Sequence, residues 1–182
     1  MNTIYDKLIE WEIPVERTFT IEEDNASAKD GIGVSITNRI IKANAIKNAN
    51  PDKQCILLSI HANAQDMTNT LQGTAAGSNV LIGTLNYAIE NTFVNNNLAR
   101  NLTDRLKEVF TNNTIDASLD VWPVANVSIL NNVDMPAILS ENGFYTNPEQ
   151  RAFLLSVDGQ TQIVTAHLEF ILDIQKQSNL NI

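Results

Sequence analysis

The sequence predicts an α/β sandwich with a mostly parallel central sheet flanked by helices, and three observations predict it. Apolar runs of strand length, CILLSI at 55–60 and PAILS at 136–140, alternate with stretches whose apolar residues return every three to four positions. With 182 residues, 43% of them apolar, the chain suits one domain over 1–182 with one sizeable core. Finally, His61 and Glu141 each follow a buried-looking run. Ligands of open α/β sheets sit beyond the carboxyl ends of strands, so a shared sheet would bring an imidazole and a carboxylate to one rim.

Taken in order, residues 3–11 place Ile4, Leu8 and Trp11 at helical spacing, and Ile13-Pro14 marks the exit. Val15 to Ile21 alternates apolar and polar as a short strand does, and 24–33 has the composition of a loop. From Ser35, a suitable N-cap, to Asn48 the positions Ile36, Ile40, Ile41 and Ala45 mark a helix. CILLSI reads as a strand covered on both faces, containing Cys55 as a small buried hydrophobe. A long loop over 62–79 leads to a strand at 79–82, and 84–110 is mainly helical, with Leu98, Leu102, Leu106, Val109 and Phe110 on its buried face. NVSIL at 126–130 and PAILS are strand-like. A last helix over about 160–176 carries Ile163, Phe170, Ile171 and Ile174 as its stripe. His167 falls on that stripe and reads as a satisfied core histidine.

Composition removes several classes of function. Twelve Lys and Arg against 21 Asp and Glu give a net charge of −9, and the basic residues are scattered, which argues against nucleic acid as a partner. No apolar run reaches the roughly 20 residues that cross a bilayer, and the first 20 residues lack the pattern of a signal peptide. One cysteine excludes an intrachain disulfide. Residues 73–79, GTAAGSN, lack the Lys-Ser/Thr ending of a phosphate loop, and neither Ser59 nor Ser140 stands in the Gly-x-Ser-x-Gly setting of a hydrolase nucleophile. Asparagine occurs 24 times, which reads as a compositional bias without chemical meaning.

Two segments carry the functional signal, Ser59-Ile60-His61-Ala62-Asn63-Ala64 and the stretch from Met135-Pro136-Ala137 through Ser140-Glu141-Asn142-Gly143-Phe144 to Pro148-Glu149. Together they resemble the zinc-dependent N-acetylmuramoyl-L-alanine amidases, the peptidoglycan hydrolases that include cell-separation amidases and phage endolysins. The segment Ser35 to Asn44, with Arg39 and the Ala43-Asn44 pair, is similar to the family helix that precedes the SIHAN strand. The likeness extends over roughly residues 3–176, with 65–97 poorly matched.

What the resemblance implies is hydrolysis of the amide between N-acetylmuramic acid and L-alanine by zinc-activated water. It makes His61 a zinc ligand and Glu141 the catalytic base. Asn63 and Asn142 become candidates for substrate binding, while Gly143 and Phe144 shape the turn beneath the carboxylate. The family's first strand, which bears another zinc histidine, and the glutamate ligand after it have no counterpart, since no histidine precedes His61. The zinc site is therefore expected to be incomplete, and an upstream segment or a partner chain is expected to complete both sheet and site. The alternative is a catalytically degenerate module that binds the cell wall or serves in a virion. Either way the place of action is the wall, reached by phage lysis, virion delivery or export.

Overall fold

The computed structural model describes residues 3–18, 32–64, 79–83, 89–113, 115, 120–124 and 127–180. Among them are six helices, α1 (Thr3–Glu10), α2 (Ile32–Asn48), α3 (Ile89–Asn112), α4 (Ser128–Asn131), α5 (Pro148–Leu155) and α6 (Val157–Leu180), and four strands, β1 (Leu57–Asn63), β2 (Asn79–Gly83), β3 (Asp120–Val124) and β4 (Ala137–Phe144). The strands form one sheet in the order β1-β4-β2-β3. β1 pairs parallel with β4 and β2 parallel with β3, whereas β2 meets β4 antiparallel. Two of the three pairings are thus parallel.

Alternation along β4 builds both halves of the core. Ile138 packs with Ala99, Leu102 and Leu106 of α3 and Ala166 and Phe170 of α6. Ala137 and Leu139 face the other way, onto Ala43 of α2, Leu130 of α4, Val133 and Met135. A fully buried Leu, Ile or Phe contributes on the order of 1.5–3 kcal/mol, so β4, clad on both faces, is the strand the rest is arranged around. Outside the sandwich, Leu8 and Ile13 lay α1 against Leu168 of α6, and Arg105 of α3 bridges Glu169 and Asp173 of α6. α1 closes with Glu12 at φ 57 and Ile13 N–H donating to Leu8 O, as in a Schellman motif.

Several expectations are corrected. Trp11 lies past the end of α1 and is exposed. Val15 to Thr18 is not a strand: Val15 packs on the α1–α6 cluster and Arg17 lies over the Tyr5 ring, so this segment belongs to α1 and not to the sheet. The remainder of that predicted strand, most of the 24–33 loop and residues 65–78 lie outside the described residues. α2 begins three residues before Ser35, which is a buried helix residue and not its cap. β1 is a sheet edge among the described residues, half-buried where a strand clad on both faces was expected, and Cys55 is likewise only partly buried.

NVSIL is the largest misreading, because its β-branched residues suggest a strand while Ser128–Asn131 is a helical turn. Asn131 and Asn132 donate from their side chains to Val127 O and Ser128 O, four residues back, and Leu130 is driven into the core. The true strand is DVWPV, whose Pro123 argues against a strand but is tolerated because β3 is an edge among the described residues. The sequence pattern gives no helix at 148–155, yet α5 forms there because Asn147 accepts from the amides of Glu149 and Gln150 with Pro148 at the first turn, a strong helix start.

Candidate active site

The site grows out of the β1–β4 ladder. Parallel rungs run from Leu57↔Ala137 to His61↔Glu141, and residues sharing a rung point to the same face. His61 and Glu141 are therefore neighbours on the face that α2 and α4 cover, near the carboxyl ends of both strands. Neither residue ends its strand: β1 continues to Asn63 and β4 to Phe144. On the other side of β4, the antiparallel register sets Asn79 of β2 opposite Glu141.

Elements flanking the rim hold the two strands in place through side chains that complete main-chain hydrogen bonds. Asn44 of α2 donates to Asn132 O and accepts from Asp134 N–H at 2.9 Å, fastening the approach to β4. Asn95 of α3, fully buried, accepts from Ala137 N–H at 2.9 Å where β4 begins. Where β4 ends, Gln150 of α5 accepts from Phe144 N–H at 2.7 Å. Two of the abundant asparagines, Asn44 and Asn95, thus have a structural use. Asn44 fastens exposed backbone ahead of β4, and Asn95 satisfies a buried amide at its start.

Between His61↔Glu141 and Asn63↔Phe144 the register shifts by one, because Asn142 and Gly143 on β4 oppose a single residue of β1. Gly143 takes φ +75, and a Cβ there would meet Gln150 Oε1 at 3.2 Å and Phe110 at 3.3 Å. Only glycine fits this bulge without strain.

The electrostatics separate the two rim groups from ordinary surface residues. Desolvation pushes the Glu141 carboxyl above its usual pKa. Desolvation first, and the nearby Arg39 guanidinium of α2 second, push the His61 imidazole below its usual value. A neutral imidazole and a carboxyl group with raised proton affinity share one rung, a combination suited to proton transfer. Ser59, two residues before His61 on the same face, lies 2.9 Å from His61 Nε2 through its hydroxyl. Asn63 stays at the rim, half-buried, with its side-chain oxygen accepting from Ala64 N–H.

Asn142 is not brought to the rim with them. It is 3% exposed, and its amide donates to Ser140 Oγ and to His61 O on the opposite face of the sheet. Among the described residues its buried Oδ1 has no hydrogen-bond partner. His167 is a core residue as expected, 0% exposed, bonded through Nδ1 to Ile163 O and through Nε2 to Ser140 Oγ.

Among the described residues the donor set does not fit a catalytic zinc ion, which takes three protein ligands. The chain has two histidines, and His167 has both ring nitrogens engaged in the core. Among the described residues no three His, Cys, Asp or Glu side chains converge to hold a metal.

Comparison with known proteins identifies the family and the fold. The family model described as N-acetylmuramoyl-L-alanine amidase matches residues 16–173. The chain belongs to this amidase family. Solved amidases share its fold. The N-acetylmuramoyl-L-alanine amidase from Clostridium difficile 630 superposes with a TM-score of 0.58 at 23% identity, over 78% of this chain and 65% of that one. CwlD amidase from Clostridioides difficile, solved in complex with the GerS lipoprotein, gives 0.66 at 18% identity over 96% and 82%. For the catalytic domain of the CD27L endolysin, the values are 0.53 and 21% over 78% and 63%. The chain thus spans just under two thirds of the first of these amidases. No curated protein sequence matches it.

Proposed function

We propose that this amidase-family domain acts on peptidoglycan, at the amide between N-acetylmuramic acid and the L-alanine of the stem peptide. Glu141 is the group that moves the proton, and His61 offers the imidazole beside it. The observation that carries the reading is the shared rung, which sets the two side chains next to each other on one face at the strands' carboxyl ends. Their opposite pKa displacements support it, since each favours its neutral form and keeps a proton mobile between carboxyl and nearby oxygen or nitrogen. Asn63, half-buried at the end of β1, is the candidate for contacting substrate.

Zinc is the cofactor that family membership implies, but the described donors stop at one imidazole and one carboxylate. Further donors would come from a partner polypeptide or an upstream segment. That shortage favours a second reading, a catalytically silent module that binds wall glycopeptide. On either reading the place of action is the cell wall, reached by phage lysis, as part of a virion or after export. Among the described residues no helix is long and apolar enough to cross a membrane.

Release of stem peptide from purified peptidoglycan separates the readings. Glu141→Gln is expected to lower the rate roughly 100- to 10,000-fold, the usual contribution of a general base. Turnover indifferent to that substitution and to a chelator would reject the assignment of Glu141. No release by the unaltered chain, together with retained binding to peptidoglycan, would favour the silent module.

A further inference from the structure

Behind the rim, on the α3–α6 face of the sheet, runs a buried chain of hydrogen bonds that the amidase reading does not use. It starts at Ile163 O, 2.8 Å from His167 Nδ1, and continues from His167 Nε2 to Ser140 Oγ at 3.0 Å. Asn142 Nδ2 then reaches Ser140 Oγ at 3.1 Å and ends on His61 O at 2.9 Å. All three side chains are buried.

With the His167 ring neutral, the two ends fix the direction of every bond. Both are main-chain carbonyls, which only accept. Nδ1 of His167 therefore carries the hydrogen, and Nε2 of the neutral ring accepts from the Ser140 hydroxyl. Ser140 Oγ in turn accepts one Asn142 hydrogen, and the other goes to His61 O. A neutral ring suits the site, because burial lowers the His167 pKa.

The chain ends where the β1–β4 ladder fails. The register slips by one between His61 and Asn63, so the regular rung after His61 is lost. At that gap the Asn142 amide grips the His61 carbonyl from the neighbouring strand. Both contacts are made through Nδ2, and among the described residues the buried Oδ1 has no partner.

We propose that Asn142, oriented by the Ser140–His167 pair, is a positioning residue: its amide replaces the rung removed by the bulge and holds the main chain of His61 beside Glu141. The hydrogen-bonded relay stands independently of any activity. That it serves catalysis rests on the amidase reading above.

Amide hydrogen exchange on the full chain tests the relay directly. Tyr145 N–H donates to Asn63 O just beyond the bulge, and Leu57 N–H donates to Pro136 O at the far end of the same strand pair. Asn142→Ala is expected to accelerate exchange at Tyr145 about tenfold more than at Leu57. Ser140→Ala should do the same to a smaller degree, and it provides the test if Asn142→Ala does not fold. Leu106→Ala, which loosens the core on that face without touching the relay, should speed both amides alike. Equal acceleration at the two amides in the relay variants, or none, would overturn the proposal. If the unaltered chain releases stem peptide, Asn142→Ala should reduce kcat with KM unchanged. A raised KM with unchanged kcat would instead return Asn142 to substrate binding. Should the unaltered chain release none, the amidase reading fails while the exchange measurement still decides the relay.

Discussion

The chain's two histidines occupy opposite faces of the same sheet, and the contrast between them shows how one residue type becomes structure in one place and a candidate for chemistry in another. His167, on α6, is fully buried with both ring nitrogens bonded, so its proton has nowhere to go. His61, on β1, is exposed at the rim, bonded to a neighbouring hydroxyl and paired in register with a carboxyl group whose proton affinity burial has raised. Both imidazoles are pushed toward the neutral form, chiefly by desolvation. What separates them is the number of partners and the access of solvent, which is the distinction between a satisfied group and a usable one.

Substitution sharpens the contrast. His167→Ala removes a large buried ring and leaves Ser140 Oγ and Ile163 O short of partners, so a loss of about 2–4 kcal/mol is expected. His61→Ala should change stability by no more than about 0.5 kcal/mol, as at other exposed positions. Urea denaturation of the two variants checks this. Equal losses would erase the distinction drawn between the two faces.

The bulge that separates the rim from the rest of the ladder is the next point of attack. Gly143→Ala forces a side chain into the left-handed region and against Phe110, for an expected cost of about 1–2 kcal/mol by the same measurement. A neutral outcome would mean that the strands re-register freely, and the shared rung would then carry less weight.

The smallest effect concerns pH. The folded-state pKa of His167 is depressed below 6.5, so the unfolded chain binds the proton first as pH falls. Its contribution to stability is complete above about 6.5 and is lost progressively as pH drops through that value toward the folded-state pKa. Denaturation midpoints between neutral pH and pH 5 should therefore fall in the unaltered chain, and less steeply in His167→Leu. Identical slopes would place the titrating group elsewhere.

Much of this was legible in the residues. The apolar run of 136–140 announced a buried strand, and the stripe of the last helix announced both its buried face and the fate of His167. Local patterns mislead where a few tertiary contacts outweigh them. NVSIL has strand-forming residues yet turns helically, because two asparagine side chains cap its carbonyls and Leu130 gains a core position. Asn142 stands beside Glu141 in sequence and suggested a role toward substrate, but alternation along β4 sends it to the opposite face, where Ser140 and His61 O engage it.

By itself the sequence determined the α/β class, the paired motifs and the presence of only two histidines, since periodicity and residue type are properties of the chain alone. Tertiary structure decided that His61 and Glu141 share a rung, that Gly143 breaks the ladder just beyond them, and that a buried relay reaches the rim from behind. Register and facing depend on which strands pair and which helices cover them, and those choices are made by contacts between residues 80 or more positions apart, whose free energy no local pattern contains.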